Sequence, residues 1–223
     1  MNSVKNGLPV ADVDVLRNEI KACEDLGYDY QVKSTGSELT FYMSALTKEL
    51  FEERSVRCVG ESVSEWNQEC IADKMANVII YLTKLTLIFQ NQDDVQSRIN
   101  DKMAKRGENK INSVKNELPV ADADVLRNAI KFSEFIEYDF QYNLQVTSTG
   151  NHLIEYMFAL TKDLFEERCV SNKLLKEWKQ ECIADKTANV IINLTKLTLI
   201  FHNQDDVQSR INSKMAKMIK TTK

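Results

Sequence analysis

The stretch at residues 69–100, ECIADKMANVIIYLTKLTLIFQNQDDVQSRIN, returns at residues 181–212 with three changes in thirty-two positions. The changes are Met75 to Thr187, Tyr81 to Asn193 and Gln90 to His202. Residues 2–21 likewise return at residues 112–131 with three changes in twenty positions. Self-similarity on this scale indicates a tandem duplication of one unit.

The repeated stretch predicts a long amphipathic helix. Its apolar residues follow one another in alternating steps of four and three, which is a heptad pattern; they are Ile71, Met75, Val78, Leu82, Leu85 and Phe89. Further apolar residues beside this seam widen it, so we expect the helix to contact two neighbours, as in a bundle. We expect one continuous helix of about 40 residues, roughly 60 Å long. The alternative is a bend at Asn91, where an Asn or Asp would cap a new, shorter helix.

Composition supports a helical fold for the whole chain. Only six Gly and two Pro occur among 223 residues, whereas a many-stranded fold needs such residues at its tight turns. The predicted fold class is therefore all-α: a tandem duplication of a three-helix unit, alternatively a four-helix unit, forming a helical bundle with coiled-coil-like seams. The predicted domains are residues 1–106, a linker at 107–120, and residues 121–223.

Two further helices are predicted in each unit. The first begins after an N-cap at Asp12, or Asp122 in the second copy. A turn at Ser34-Thr35-Gly36 then precedes the second helix. In the second copy the aromatic residues at 138, 140 and 142 alternate, so a short strand is the alternative there.

The net charge argues against a nucleic-acid partner, and the cysteine count argues against a disulfide framework. The net charge is −4 and the pI is near 5.4, which gives no basic field, so we expect no nucleic acid. The C-terminal run is basic and contains Lys214, Lys217, Lys220 and Lys223. We expect it to be a solvated helix end rather than a contact with membrane or RNA. The five cysteines are an odd number and predict free thiols. Without an apolar leader run we expect a cytoplasmic or nuclear protein, although a secreted chain with its leader removed would look the same.

The sequence predicts no catalytic, cofactor or metal site. The two histidines of the chain both lie in the second copy and have no histidine counterpart in the first. Cys70 and Cys182 recur in both copies one turn after a tryptophan, but a thiolate needs a nearby cation or base, and we expect these cysteines to pack in the core. Asp94 is explained by an ion pair with Arg98 one helical turn later. We therefore expect a non-enzymatic protein.

What remains is a scaffold or adaptor that binds protein partners through helix packing, with self-association included. Such a protein would suit a cytoskeletal or chromosome-segregation assembly. The predicted partner-binding residues continue the seam beyond the bundle core; they are Gln92, Gln96, Ile99, Met103, Gln204, Gln208, Ile211 and Met215. One alternative is a helical carrier of an apolar ligand, suggested by Phe132, Phe135, Tyr156, Met157 and Phe158. Another is a secreted effector.

Overall fold

A computed structural model of the chain describes residues 9–58, 65–104, 121–131, 138–169 and 173–221. Within these residues the fold is all-α and contains no strand. The helices are α1 Val13–Ala22, α2 Tyr28–Cys58, α3 Glu65–Phe89, α4 Gln92–Ala104, α5 Ala123–Lys131, α6 Tyr138–Cys169, α7 Lys173–Phe201 and α8 Gln204–Thr221, with a short 3₁₀ helix at Glu24–Leu26. The predicted fold class is confirmed at the level of an all-helical bundle.

The two predicted N-caps are confirmed. Asp12 Oδ1 accepts hydrogen bonds from the backbone N–H groups of Asp14, at 3.0 Å, and Val15, at 3.2 Å. Asp122 makes the same two contacts at the start of α5. Each aspartate satisfies N–H groups that the first helical turn leaves without partners.

The predicted turn at Ser34-Thr35-Gly36 is wrong, because α2 runs straight through it and α6 runs through Gly150. One glycine in a helix costs about 1 kcal/mol. Burial of Val32 and Leu39 on either side of Gly36 outweighs that cost. The strand alternative at residues 138–142 is also wrong, since this stretch is the first part of α6.

The continuous third helix is wrong as well, and the bend at Asn91 is the correct alternative. Gln90 ends α3 in the left-handed region with φ of 53°. Its N–H donates to the Leu87 carbonyl at 3.2 Å, and the Asn91 N–H donates to the Thr86 carbonyl at 3.3 Å. This pair of contacts is a Schellman motif, which satisfies the last carbonyls of a helix. Since the Val95 N–H donates to the Asn91 carbonyl at 2.9 Å, α4 begins at once.

The same bend occurs at His202 and Asn203, so each half of the chain has four α-helices within the described residues.

The helices form three layers. The outer layer is α2 with α6, the middle layer is α3 with α7, and the third layer holds α1, α4, α5 and α8, which pack mainly against the middle layer. Val78 and Ile80 lie on nearly opposite sides of α3, yet both are fully buried. A helix that is apolar on all sides is one that is covered on all sides. This confirms that the repeated helix contacts more than one neighbour.

The last helix of each half, α4 or α8, packs against the other half of the chain. Helix α4, from the first half, packs against α7 of the second half, while α8 packs against α3 of the first. Ile99 and Met103 of α4 share a core cluster with Ala184 and Ala188 of α7. Each half therefore supplies one helix to the core of the other. The predicted linker at 107–120 lies outside the described residues.

Candidate functional site

The apolar residues predicted to bind a partner protein are buried inside this chain. Ile99, Met103, Ile211 and Met215 are at most 4% exposed. The bends at residues 90 and 202 turn α4 and α8 back against the middle layer, so the seam continues onto α7 and α3 rather than into solvent. In this arrangement the other half of the same chain covers the predicted surface. Binding of a separate protein through these residues stays a prediction.

The predicted glutamines are divided between buried and half-buried positions. Gln92, Gln96 and Gln204 are half-buried, and Gln96 donates a hydrogen bond to Asn100 at 2.9 Å. Gln208 is buried; its Oε1 accepts from the Val10 N–H at 2.7 Å, and its Nε2 donates to the Val10 carbonyl at 3.0 Å. Gln208 therefore anchors the segment before α1 to the last helix of the chain.

Two aspartates join the halves by ion pairs. Asp73 on α3 lies 2.7 Å from Lys214 and 4.0 Å from Arg210, both on α8. Asp185 on α7 makes the equivalent contacts with α4, 2.8 Å to Lys102 and 3.9 Å to Arg98. Lys214, which the sequence placed on a solvated helix end, is instead a contact between the two halves.

The surroundings of these aspartates lower their pKa. Partial burial acts to raise the pKa of Asp73, but the hydrogen bond and charge of Lys214, with the charges of Lys74 and Arg210, outweigh it. The pKa of Asp185 is lowered in the same way, with Lys102 as the main opposing group. Both aspartates are therefore ionised near neutral pH and favour the contact between halves.

The groups considered for chemistry have structural surroundings. Burial, followed by the charge of Glu49, raises the pKa of the Cys70 thiol, which disfavours the thiolate needed for nucleophilic attack. Cys23, Cys70 and Cys182 are free thiols. Asp94 pairs with Arg98 at 3.1 Å, as the sequence predicts. In the described part of the chain, no three His, Cys, Asp or Glu residues are grouped so as to hold a metal ion.

An aromatic cluster lies between α2 and α3 in the first half of the chain. The rings of Tyr42 and Tyr81 stack with centroids 5.3 Å apart, and Phe41 meets Tyr42 edge-on at 5.2 Å. Burial, together with the charge of Glu38, raises the pKa of Tyr81 to about 12. The phenol is therefore neutral at physiological pH. The second half carries Asn193 in place of Tyr81.

The feature that sequence reasoning missed is a row of exposed apolar side chains on the outer faces of α2 and α6. We call it the outer stripe; it consists of Tyr30, Phe41, Phe51, Leu144, Phe158 and Phe165. Phe41, Phe158 and Phe165 are 65%, 61% and 66% exposed. Phe41 lies on the side of α2 opposite the buried Leu39 and Leu46, whereas Phe51 lies to one side of that position, next to buried Leu50.

The two parts of the outer stripe belong to neighbouring helices. Leu50 and Phe51 near the end of α2 border the same small void as Val146 and Ile154 of α6. Six large side chains about half exposed present roughly 600 Å² of apolar surface. That is near the upper end for a monomer, and it approaches what one partner buries in a standard protein interface.

A signal for the stripe is present in the sequence. Phe51 and Phe165 occupy equivalent positions, and in each copy the residue stands among charged residues. An apolar residue repeated on an otherwise charged helix face indicates a contact, whereas the charge run by itself indicates solvent. Charges of both signs border the stripe, as in the pair of Lys48 with Glu52 at 3.4 Å and that of Lys162 with Glu166 at 3.8 Å.

Of the residues that suggested a ligand carrier, Met157 and Phe158 do not face a common cavity. Met157 is buried in the core, Phe158 faces solvent on the outer stripe, and Phe132 and Phe135 lie outside the described residues. A separate open cleft of about 600 Å³ lies between α1, the start of α2 and the end of α3. Its lining mixes apolar residues with charged ones such as Arg17 and Lys21, so it lacks the enclosed apolar character of a carrier site.

Comparisons with known proteins give no assignment. No protein family model, curated protein or solved structure matches this chain. None of the described helices is long and apolar enough to cross a bilayer. Function must therefore be argued from the surface of the molecule.

Proposed function

We propose that the chain is a non-enzymatic scaffold or adaptor that binds another protein through the outer stripe. The observation that carries this proposal is the exposure of three phenylalanines, Phe41, Phe158 and Phe165, on neighbouring helices. Each exposed ring forgoes burial that would stabilise a packed side chain by about 1.5–3 kcal/mol. Exposed apolar surface of about this size is typical of interaction sites.

The partner segment of this proposal is an amphipathic helix. Leu144, Phe158 and Phe165 are separated by multiples of seven residues, so they form a straight row that matches the apolar row of a packed helix. A Lys–Glu pair borders each part of the stripe, Lys48 with Glu52 and Lys162 with Glu166, which suits a partner helix carrying both signs of charge. Nucleic acid and acidic lipid need a single basic field, and the stripe does not provide one.

The test is site-specific photo-crosslinking in cells that produce the chain. A photoreactive residue is placed at Phe41 or Phe158, and at the exposed α8 position Ser209 as control. We expect the two stripe positions to capture one protein through an apolar, heptad-spaced segment, and Ser209 not to capture it. Crosslinks to nucleic acid or lipid, or equal capture from all three positions, would contradict the proposal.

Binding by the purified partner gives the quantitative form of the test. The double variant Phe41→Ser with Phe158→Ser should weaken binding about tenfold or more, because exposed aromatic anchors dominate such interfaces. Its free energy of unfolding should change by less than about 1 kcal/mol, since both rings are mostly in solvent. A large loss of stability would instead assign the rings to folding.

We further propose that the chain arose by tandem duplication and serves as a structural subunit. Near-identity of residues 69–100 with 181–212 supports a tandem duplication. Phe51 and Phe165 retain the stripe in both copies, so the two copies would offer two related binding surfaces. The heptad seam supports a structural subunit, such as one of a cytoskeletal or chromosome-segregation assembly.

A further inference from the structure

The bend between α7 and α8 combines two unfavourable features. His202 adopts the left-handed conformation with φ of 52°, which side chains other than glycine rarely adopt. The side-chain oxygen and nitrogen of the next residue, Asn203, are both buried and, among the described residues, have no hydrogen-bond partner. Both features belong to the bend itself and would disappear if the bend opened.

The sequence across this bend is also compatible with a straight helix. No Gly or Pro occurs between Lys173 and Thr221. The seam keeps its steps of three and four through the bend, along Leu194, Leu197, Phe201, Gln204, Gln208, Ile211 and Met215. A continuous helix over residues 173–221, roughly 70 Å long, would keep Ile211 and Met215 on one face.

The contacts that hold α8 can be made equally well by a second copy of the chain. They consist of the burial of Ile211 and Met215, the ion pair of Lys214 with Asp73 at 2.7 Å, and the two hydrogen bonds of Gln208 with Val10. Because α8 is the last described helix, its release mainly disrupts its packing on α3 and α1, its hydrogen bonds to Val10 and the bend itself.

We infer that this chain forms a domain-swapped dimer in which α8 of each copy packs on α3 of the other. The bend at His202 opens, and α7 and α8 join into one helix. The swapped and closed forms share the contacts of α8 with α3 and α1, so the bend and the chain concentration decide between them. The occupant of the α8 position is a second copy of this chain.

Proline substitution separates the swapped dimer from other forms of association. Gln204 is the first residue of α8, where proline is tolerated in a bent chain but blocks a continuous helix. Gln92→Pro makes the same change at the first residue of α4 and is the matched control, since it leaves the second bend untouched.

The measurement is size exclusion with light scattering, after concentrated protein has been warmed to just below its unfolding transition and cooled. We expect a dimer of twice the 25.6 kDa chain mass. Gln92→Pro should keep this dimer and Gln204→Pro should lose it. Dimer formation by Gln204→Pro, or no dimer from either wild type or Gln92→Pro, would overturn the inference.

A second pair of variants tests the role of His202. His202→Gly relieves the left-handed strain, and His202→Ala favours a continuous helix. Since formation of the dimer opens two such bends, its dissociation constant should rise tenfold or more in His202→Gly and fall in His202→Ala. A change in the opposite direction, or none in either variant, would show that the bend does not control exchange.

Discussion

Replacing Ile99 by alanine tests whether α4 is part of the core, because Ile99 is fully buried against the second half of the chain. The substitution removes three buried carbon atoms. Burial of each contributes about 0.8 kcal/mol, so the loss of hydrophobic free energy is about 2.4 kcal/mol. A residual cavity of roughly 40 Å³ adds about 1 kcal/mol. We therefore expect a loss of about 3.5 kcal/mol in the free energy of unfolding.

The assay is urea unfolding followed by circular dichroism, with a thermal scan beside it. For a chain of this size the midpoint temperature should fall by about 7–14 °C. Ile211→Ala, at the equivalent position of α8, should cost a similar amount because Ile211 is also fully buried. Ile219→Ala is the control on the same helix: Ile219 is 45% exposed, and its loss should cost under about 1 kcal/mol.

A loss below about 1 kcal/mol for Ile99→Ala would refute the packing of α4 on α7. The predicted partner-binding surface would then be open in the free chain. Equal losses for Ile99→Ala and Ile219→Ala would lead to the same conclusion.

Three other contacts give shorter tests. Gln208→Ala should cost about 2 kcal/mol in urea unfolding, because both backbone groups of Val10 lose their partner; an unchanged curve would contradict this contact. The lowered pKa values of Asp73 and Asp185 stabilise the fold at neutral pH, and this contribution should be lost as pH falls below their ordinary value of 3.8. The double variant Asp73→Asn with Asp185→Asn should therefore lose less stability than wild type as the pH falls through and below 3.8, and parallel losses would argue against the ion pairs. The raised pKa of Tyr81, about 12, stabilises the fold below pH 10.0, and this contribution should be lost between pH 10.0 and about 12. Absorbance titration should show one tyrosine ionising near pH 12 that Tyr81→Phe lacks, and its presence in that variant would contradict the burial of Tyr81.

Local signals in the sequence predicted helix starts but not every helix end. Asp12 and Asp122 are N-caps because a short acidic side chain can reach the first free N–H groups without help from distant residues. The ends at Gln90 and His202 carry no glycine, so the usual sign of a left-handed helix end is missing. Asn91 gave only an ambiguous signal, since its residue type suits both a cap and a helix surface.

Long-range packing explains the remaining differences. Gly36 looks like a turn residue from its neighbours, but the buried face of α2 holds the helix through it. The heptad pattern predicts that Ile99 and Ile211 are buried. It does not predict which helix covers them, because a heptad pattern does not identify its partner. The outer stripe could have been found only by comparing Phe51 with Phe165 between the copies.

The crossing of α4 and α8 between the halves also bears on how much change each part of the chain can tolerate. A substitution on the inner face of α8 must fit α3, which lies in the other half of the same chain, and the same holds for α4 and α7. At these contacts a substitution in one half also alters the packing of the other half. The outer faces of α2 and α6 lie under no such mutual constraint. There, Phe41 of the first half corresponds to Glu155 of the second, and Ser44 corresponds to Phe158. The buried contacts between the halves thus limit substitution to matched pairs of residues, while the outer faces of α2 and α6 accept different residues at corresponding positions.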